Sequence, residues 1–311
     1  MSNVLFQNDT RQPRRFGWGL TRAMSLSLTA FAAVVLVGML VLFAMESAPV
    51  LKHEGVNYVV GKTWFFRSET FGVLPMIYGT AVVAGIALLL AAPIGIGAAV
   101  FTAEIVPPRV RMPVKLAIEL LAGIPSVVYG LLGILLLRNY VYDGLRAAGF
   151  DPLSGDTLLT AGLLLAVMIL PTIMTLSDDA LRSVPSMSRH AARGLGLTHG
   201  QAILAVSLPQ ARKGLIAAIL LAFGRALGEA IAVFLVVGRQ DNQLPGSLFS
   251  LEPLISSGQT LTSKLGGAEV NIAYGDPLHW AAVVGLGLLL LIAVTVVTLV
   301  AAWLQREAAH A

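Results

Sequence analysis

Six long, mostly apolar runs constrain this chain more than any other feature: about 23–45, 75–103, 116–137, 157–177, 214–238 and 281–302. A hydrocarbon core about 30 Å thick is crossed by roughly 20 apolar helical residues. Within lipid every backbone N–H and C=O must be paired inside the segment, so such runs predict helices. They lack the alternation in segments of about ten residues that marks an outer-membrane barrel. Only 12% of the residues are charged, against about a quarter in soluble domains. The expected fold is an all-α integral membrane protein with six transmembrane helices.

Lys and Arg orient those helices. The N-terminus, the 104–115 and 178–213 loops and Arg306 hold thirteen of the 21, and the intervening loops hold seven. Basic residues concentrate on the cytoplasmic side, so the N- and C-termini are expected to be cytoplasmic. The net charge of +4 then reflects topology, and no nucleic-acid partner is expected. The first run exceeds the 7–15 apolar residues of a signal peptide, which predicts an uncleaved anchor. Residues 1–20 would form a cytoplasmic tail, 21–74 the first helix and an external loop, 75–304 a five-helix core, and 305–311 a second cytoplasmic tail. Residues 1–15 are polar enough to predict disorder.

Of the external loops, 46–74 and 239–280 are long and rich in Gly, Ser, Pro and aromatics, which suits a docking surface. Trp280 and Trp303 bracket the last run as interfacial anchors. Pro93, Pro125 and Pro171 fall inside the second, third and fourth runs. They either bend those helices or line a pathway. No inverted repeat is visible, which argues against a secondary transporter built from two internal halves.

The strongest chemical signal is Arg225 with Glu229, in AFGRALGEAIAV. Arg225 lies at the centre of the fifth run, where a charge is costly and marks a substrate or ion path. Spacing of i,i+4 predicts both side chains on one helix face. Arg before Glu is the weaker order for a purely stabilising pair, and a guanidinium matches an oxyanion in two-point contact. The competing reading is a neutralised pair that locks helix packing, aided by Gly224 and Gly228. Glu119, four residues after Lys115, reads as an interfacial ion pair. In the adjoining IELLAGIPSVVYG, Ser126 and Tyr129 are candidates to line the pathway.

No energy source is encoded. Gly61-Lys62-Thr63 ends like a phosphate loop, but Gly55 is one residue out of register. The five histidines (His53, His190, His199, His279, His310) lack metal-ligand spacing, and the absence of cysteine removes thiolate sites. No nucleophile–base set stands out, so neither a metal nor another cofactor is expected. Residues 187–214, MSRHAARGLGLTHGQAILAVSLPQARKG, form a polar, Gly-marked stretch between two apolar runs. It predicts a short amphipathic helix on the membrane face, closed by Pro209 and presented to a partner. Arg225 follows Pro209 by about four and a half helical turns, so one helix could carry movement from one to the other.

Residues 190–209 resemble the E-A-A-x-x-x-G-x(9)-I-x-L-P signature of ABC importer membrane subunits. Ala191, Ala192, Gly196, Leu208 and Pro209 match, while His190 stands for the Glu and Val206 for the Ile. In that family the segment, here 187–213, is the coupling helix that docks on a cytoplasmic ATPase. LPMIYGTAVVAGIALLLAAPIGIGAAVFTAE, IELLAGIPSVVYG and LAFGRALGEAIAV are similar to the C-type permeases of the phosphate-specific transport system. That resemblance implies phosphate as cargo and Arg225 and Glu229 on its path. It also implies an A-type permease partner, a dimer of ABC ATPases and a periplasmic phosphate-binding protein. From chemistry alone sulfate or molybdate would fit as well, and a stand-alone anion channel or carrier is the alternative from another class.

Overall fold

The computed structural model describes residues 16–244 and 252–309. The predicted disordered stretch 1–15 and His310 lie outside them. Helix α1 (Phe16–Glu54) follows from the first apolar run, and its most apolar stretch is left uncovered by the rest of the chain. It leans on the last helix, Pro277–Ala309, where Phe43 lies beside Gly287. After it come the short α2 (Asn57–Val60) and a two-stranded antiparallel hairpin, β1 (Trp64–Phe65) and β2 (Thr70–Phe71).

Helix α3 (Leu74–Val100) ends in a π-helical turn at Phe101–Ile105. The third apolar run, expected as one span over 116–137, is instead broken. Helix α4 (Pro108–Ala122) meets α5 (Ser126–Leu132) at a bend of 82°, and α5 continues through a π turn into α6 (Arg138–Ala147). The cause lies in Gly123-Ile124-Pro125. Gly123 closes α4, and Pro125 disfavours helical backbone at Ile124 and has no N–H to continue the ladder. Tyr129 ties the two arms together, its hydroxyl donating to the Leu121 carbonyl at 2.9 Å.

Helix α7 (Leu158–Arg182) is the most buried span and packs along α3. Glycines permit that approach: a Cβ on Gly95 would meet Ile173 at 2.9 Å, and one on Gly162 would meet Ile86 at 2.7 Å. Two short helices follow, α8 (Ser186–Gly194) and α9 (His199–Ala202), then a π turn at Ile203–Ser207 and α10 (Leu208–Gly228). The fifth span thus starts near His199, not near residue 214, and runs as one helix to Gly228. Pro209 does not close the docking element as expected. The π turn before it has already shifted the hydrogen-bond ladder, so its missing N–H is tolerated in the first turn of α10.

The far end of the fifth run also differs from expectation. Glu229 is extended (φ −73°, ψ 115°), and α11 (Ile231–Val236) begins a new short helix. The remaining loop folds into α12 (Glu252–Ile255), α13 (Leu261–Leu265) and α14 (Glu269–Ala273) before α15 (Pro277–Ala309). With the β1–β2 hairpin these make a cap over the end of the bundle opposite α8. Lys264 is only 4% exposed; its ammonium meets Asp241 at 2.7 Å and Glu269 at 3.0 Å and lies over the Trp64 ring. Trp64 Nε1 donates to Glu269 at 2.6 Å, and His279 Nε2 lies 2.8 Å from the same carboxylate oxygen. Burial works against that charge, but Lys264 and the Trp64 and His279 hydrogen bonds outweigh it and hold Glu269 below the usual carboxylate range.

Among the described residues five helices are therefore long and apolar enough to cross a membrane, and the bent pair makes a sixth crossing if it counts as one span.

Candidate functional site

Arg225 lies near mid-depth. Its Nη1 donates to Thr172 Oγ1 at 2.7 Å. Thr172 is fourteen residues from the start of α7 and ten from its end, roughly 21 and 15 Å along the helix. The guanidinium is exposed at the surface of the single chain. A cation at that depth is tolerable against a partner or a water-filled cavity, and costly against lipid. Among the described residues no carboxylate stands within ion-pair distance of it. An uncharged hydroxyl holds a full positive charge.

Glu229 does not share a helical face with Arg225, which corrects the expectation from i,i+4 spacing. The helix ends at Gly228, and the Glu229 carboxylate accepts the Ala232 N–H at 3.2 Å across the break. Tyr129 is buried in the same core cluster as Ala226 and Leu227, but its hydroxyl is committed to the bend. Ser126 is half-buried at the start of α5. The structure thus brings Arg225 and Tyr129 into one region and adds Thr172, which the sequence reading missed.

A second polar cluster lies further along α7. Asp178 is 2% exposed and meets Lys115 Nζ at 2.5 Å and Arg182 Nε at 2.6 Å, and it accepts Thr102 Oγ1 at 3.1 Å. Lys115 therefore pairs with Asp178 instead of the expected Glu119. Thr172, Thr175, Asp178 and Arg182 recur at three- and four-residue steps, which makes one polar stripe from mid-depth to the basic end.

The docking segment occupies that basic end. Ala192 is buried on the inner face of α8, while His190 and Ala191 are exposed. The chain reverses at Gly196, whose φ of +88° lies in the left-handed region; its N–H returns to the Arg193 carbonyl at 2.9 Å. Thr198 and Gln201 then form a reciprocal capping box that restarts the helix. Leu208 packs inward against the Ala99–Leu215 core cluster, and Pro209 is exposed. An open groove of about 430 Å³ is lined by Leu195, Gly196, Leu197, Gln201, Leu204 and Ala205. Leu195 is 83% exposed, Met187 76% and Leu204 69%. Large apolar side chains grouped this way form the kind of surface that a partner protein or the membrane covers.

Comparison with known proteins identifies the family. Residues 91–310 match the family described as binding-protein-dependent transport system inner membrane component. The phosphate transport system permease protein PstC of Mesorhizobium japonicum is 35% identical over 90% of this chain and 88% of its own length. The PstC of Haemophilus influenzae is 34% identical over 85% of each chain. Among solved structures, a bacterial alginate ABC transporter in complex with an alginate-bound periplasmic protein has a similar fold, with a TM-score of 0.57 and 16% identity over 93% of this chain and 94% of that one. This chain belongs to the binding-protein-dependent family of inner-membrane transport components, among the relatives of the PstC phosphate permeases.

Proposed function

We propose that the chain is the membrane-spanning subunit through which inorganic phosphate passes, driven by ATP hydrolysis in a separate protein. The observation that carries this reading is Arg225 at mid-depth, held by the Thr172 hydroxyl with no carboxylate of the described residues within ion-pair distance. A guanidinium so placed is a ready receptor for a tetrahedral oxyanion, in short charge-assisted hydrogen bonds. The names of the relatives point to phosphate.

In this reading the end bearing α8 and Lys115 is cytoplasmic, as are both tails. The bent pair α4–α6 counts as one crossing, which makes six. The open face around Arg225 is closed by a second, A-type permease subunit. Leu195, Met187 and Leu204 meet a dimer of ABC ATPases, with His190, Ala191, Gly196 and Pro209 on the exposed side. The cap of Trp64, Lys264 and Glu269 faces outward, towards a phosphate-binding protein.

Closure of the ATPase dimer would displace α8 and α9 and rotate α10, carrying Arg225 away from Thr172. That motion is driven only if the ATPases bind the two arrangements with different affinity. When phosphate leaves, Glu229, one residue beyond the helix end, competes for the guanidinium and resets the site. The test is ATP-driven uptake of phosphate, sulfate and molybdate by the reconstituted complex. Uptake restricted to phosphate supports the assignment, and uptake of the other anions alone refutes it.

A further inference from the structure

The docking segment grips the chain at a second place besides the start of the fifth span. Arg189, on α8, sends Nη2 to the Leu181 carbonyl at 2.5 Å and to the Glu104 carboxylate at 3.3 Å. His199, at the start of α9, bonds through Nε2 to the Glu104 carbonyl at 3.0 Å, while its Nδ1 lies 3.1 Å from Arg193 Nη2. A carbonyl only accepts, so Nε2 carries the proton and Nδ1 accepts from Arg193. Glu104 belongs to the π turn that ends α3, and Leu181 lies in the last turn of α7. Arg189 and His199 therefore hold the ends of the two most closely packed spans.

Glu104 sits where backbone acceptors are free. A helix C-terminus leaves its last carbonyls unpaired and favours cations. Here Arg111 takes the Thr102, Ala103 and Val106 carbonyls, and His199 takes that of Glu104. Thr102 in the same turn reaches Asp178 of α7. The five-residue turn thus joins α4, α7 and the docking segment. Its ion pair is incomplete: Glu104 Oε1 and Arg189 Nε are both buried and lack hydrogen-bond partners.

Resting on the transport reading above, we propose that Glu104 is a positioning residue through which the docking segment moves α3 and α7 together with α10. The two routes end on opposite sides of one bond. Helix α10 carries Arg225, and α7 carries Thr172. A displacement of residues 186–202 then acts on both partners at once, which a single helix from His199 to Gly228 would not do.

The experiment uses the full complex with Glu104→Arg, Arg189→Glu and the double reversal. Thr175→Cys on α7 is introduced into each, because the chain has no cysteine of its own. Thiol labelling of this chain is compared between nucleotide-free and ATP-trapped states, alongside ATP hydrolysed per phosphate taken up. With Glu104 and Arg189 intact, labelling should change by about fivefold or more between states, the size of a typical coupling. Either single reversal should abolish that change and raise the ATP cost per phosphate while the subunits still co-purify. The double reversal should restore both in part, through the remade 104–189 pair, since a carboxylate at 189 cannot donate to the Leu181 carbonyl. Single variants that keep the nucleotide response, or a double reversal that restores nothing, overturn the proposal. A normal nucleotide response without phosphate uptake in the unreversed complex would refute only the cargo assignment.

Discussion

Arg225 of α10 donates to Thr172 of α7 across 53 residues of sequence, at 2.7 Å. The bond binds the helix that continues from the docking segment to the most buried span. It holds a permanent cation with a group that an arriving oxyanion can replace without breaking an ion pair.

Replacing Thr172 by Val keeps the shape and removes the acceptor. A hydrogen bond to a charged group contributes about 1.5–3 kcal/mol, so phosphate uptake should change by roughly tenfold or more. Thr172→Ser should stay close to wild type. Equal initial rates for Val and Thr in reconstituted vesicles would remove Thr172 from the site.

Glu229 tests two roles separately. Gln preserves a carbonyl for the Ala232 N–H, whereas Ala loses that cap at a cost of about 1 kcal/mol. Glu229→Gln should melt with the wild-type complex yet take up phosphate poorly, since it cannot compete for the guanidinium. Full uptake by Glu229→Gln would confine the residue to capping α11.

Gly196 turns the docking segment with a left-handed backbone, and a Cβ there meets nothing within 4 Å. The penalty for a side chain is therefore conformational, about 1–2 kcal/mol. Gly196→Val should weaken co-purification of the ATPase while the membrane subunits remain paired. Undiminished recovery of ATPase at matched detergent and salt is the outcome that contradicts the docking role.

Asp178 is buried between Lys115, Arg182 and Thr102. Its removal strands two cations, which costs about 3–5 kcal/mol when both are fully buried. Lys115 and Arg182 are each about one-third exposed, so water recovers part of that and the lower figure applies. Asp178→Asn should lower the thermal midpoint of the complex by several degrees, and Lys115→Met by less.

The cap should loosen in acid. Glu269 is held below the ordinary glutamate value of about 4.3 in the folded state. A depressed carboxylate contributes stability that is complete above its unfolded value and lost as pH falls through the folded one. Hydrogen exchange in residues 261–273 should therefore accelerate below about pH 4. Glu269→Gln should show less of that pH dependence.

Much of this was legible in the chain itself. Apolar run length located the spans, and AFGRALGEAIAV singled out a cation that lipid would not tolerate. The polar, Gly-marked stretch before the fifth span marked the segment that folds as α8, a left-handed turn at Gly196 and α9. What escaped was set by breaks and long-range partners. Helical periodicity was carried through Gly228 to Glu229, although the chain turns extended there. Pro125 reads as a bend or a pathway-lining residue, but the apolar average over 116–137 hides that Gly123–Pro125 breaks the span at 82°. Thr172 and Glu104 gave no local signal, because each acquires its role from a residue more than fifty positions away.

The central claim is that Arg225 receives the transported anion, and Arg225→Gln tests it most directly. The variant keeps hydrogen-bonding capacity toward Thr172 and removes the charge. In the complete complex with its ATPase and binding protein, reconstituted in vesicles, ATP-driven phosphate uptake should disappear while assembly and ATP hydrolysis persist. Wild-type uptake by that variant would contradict the account.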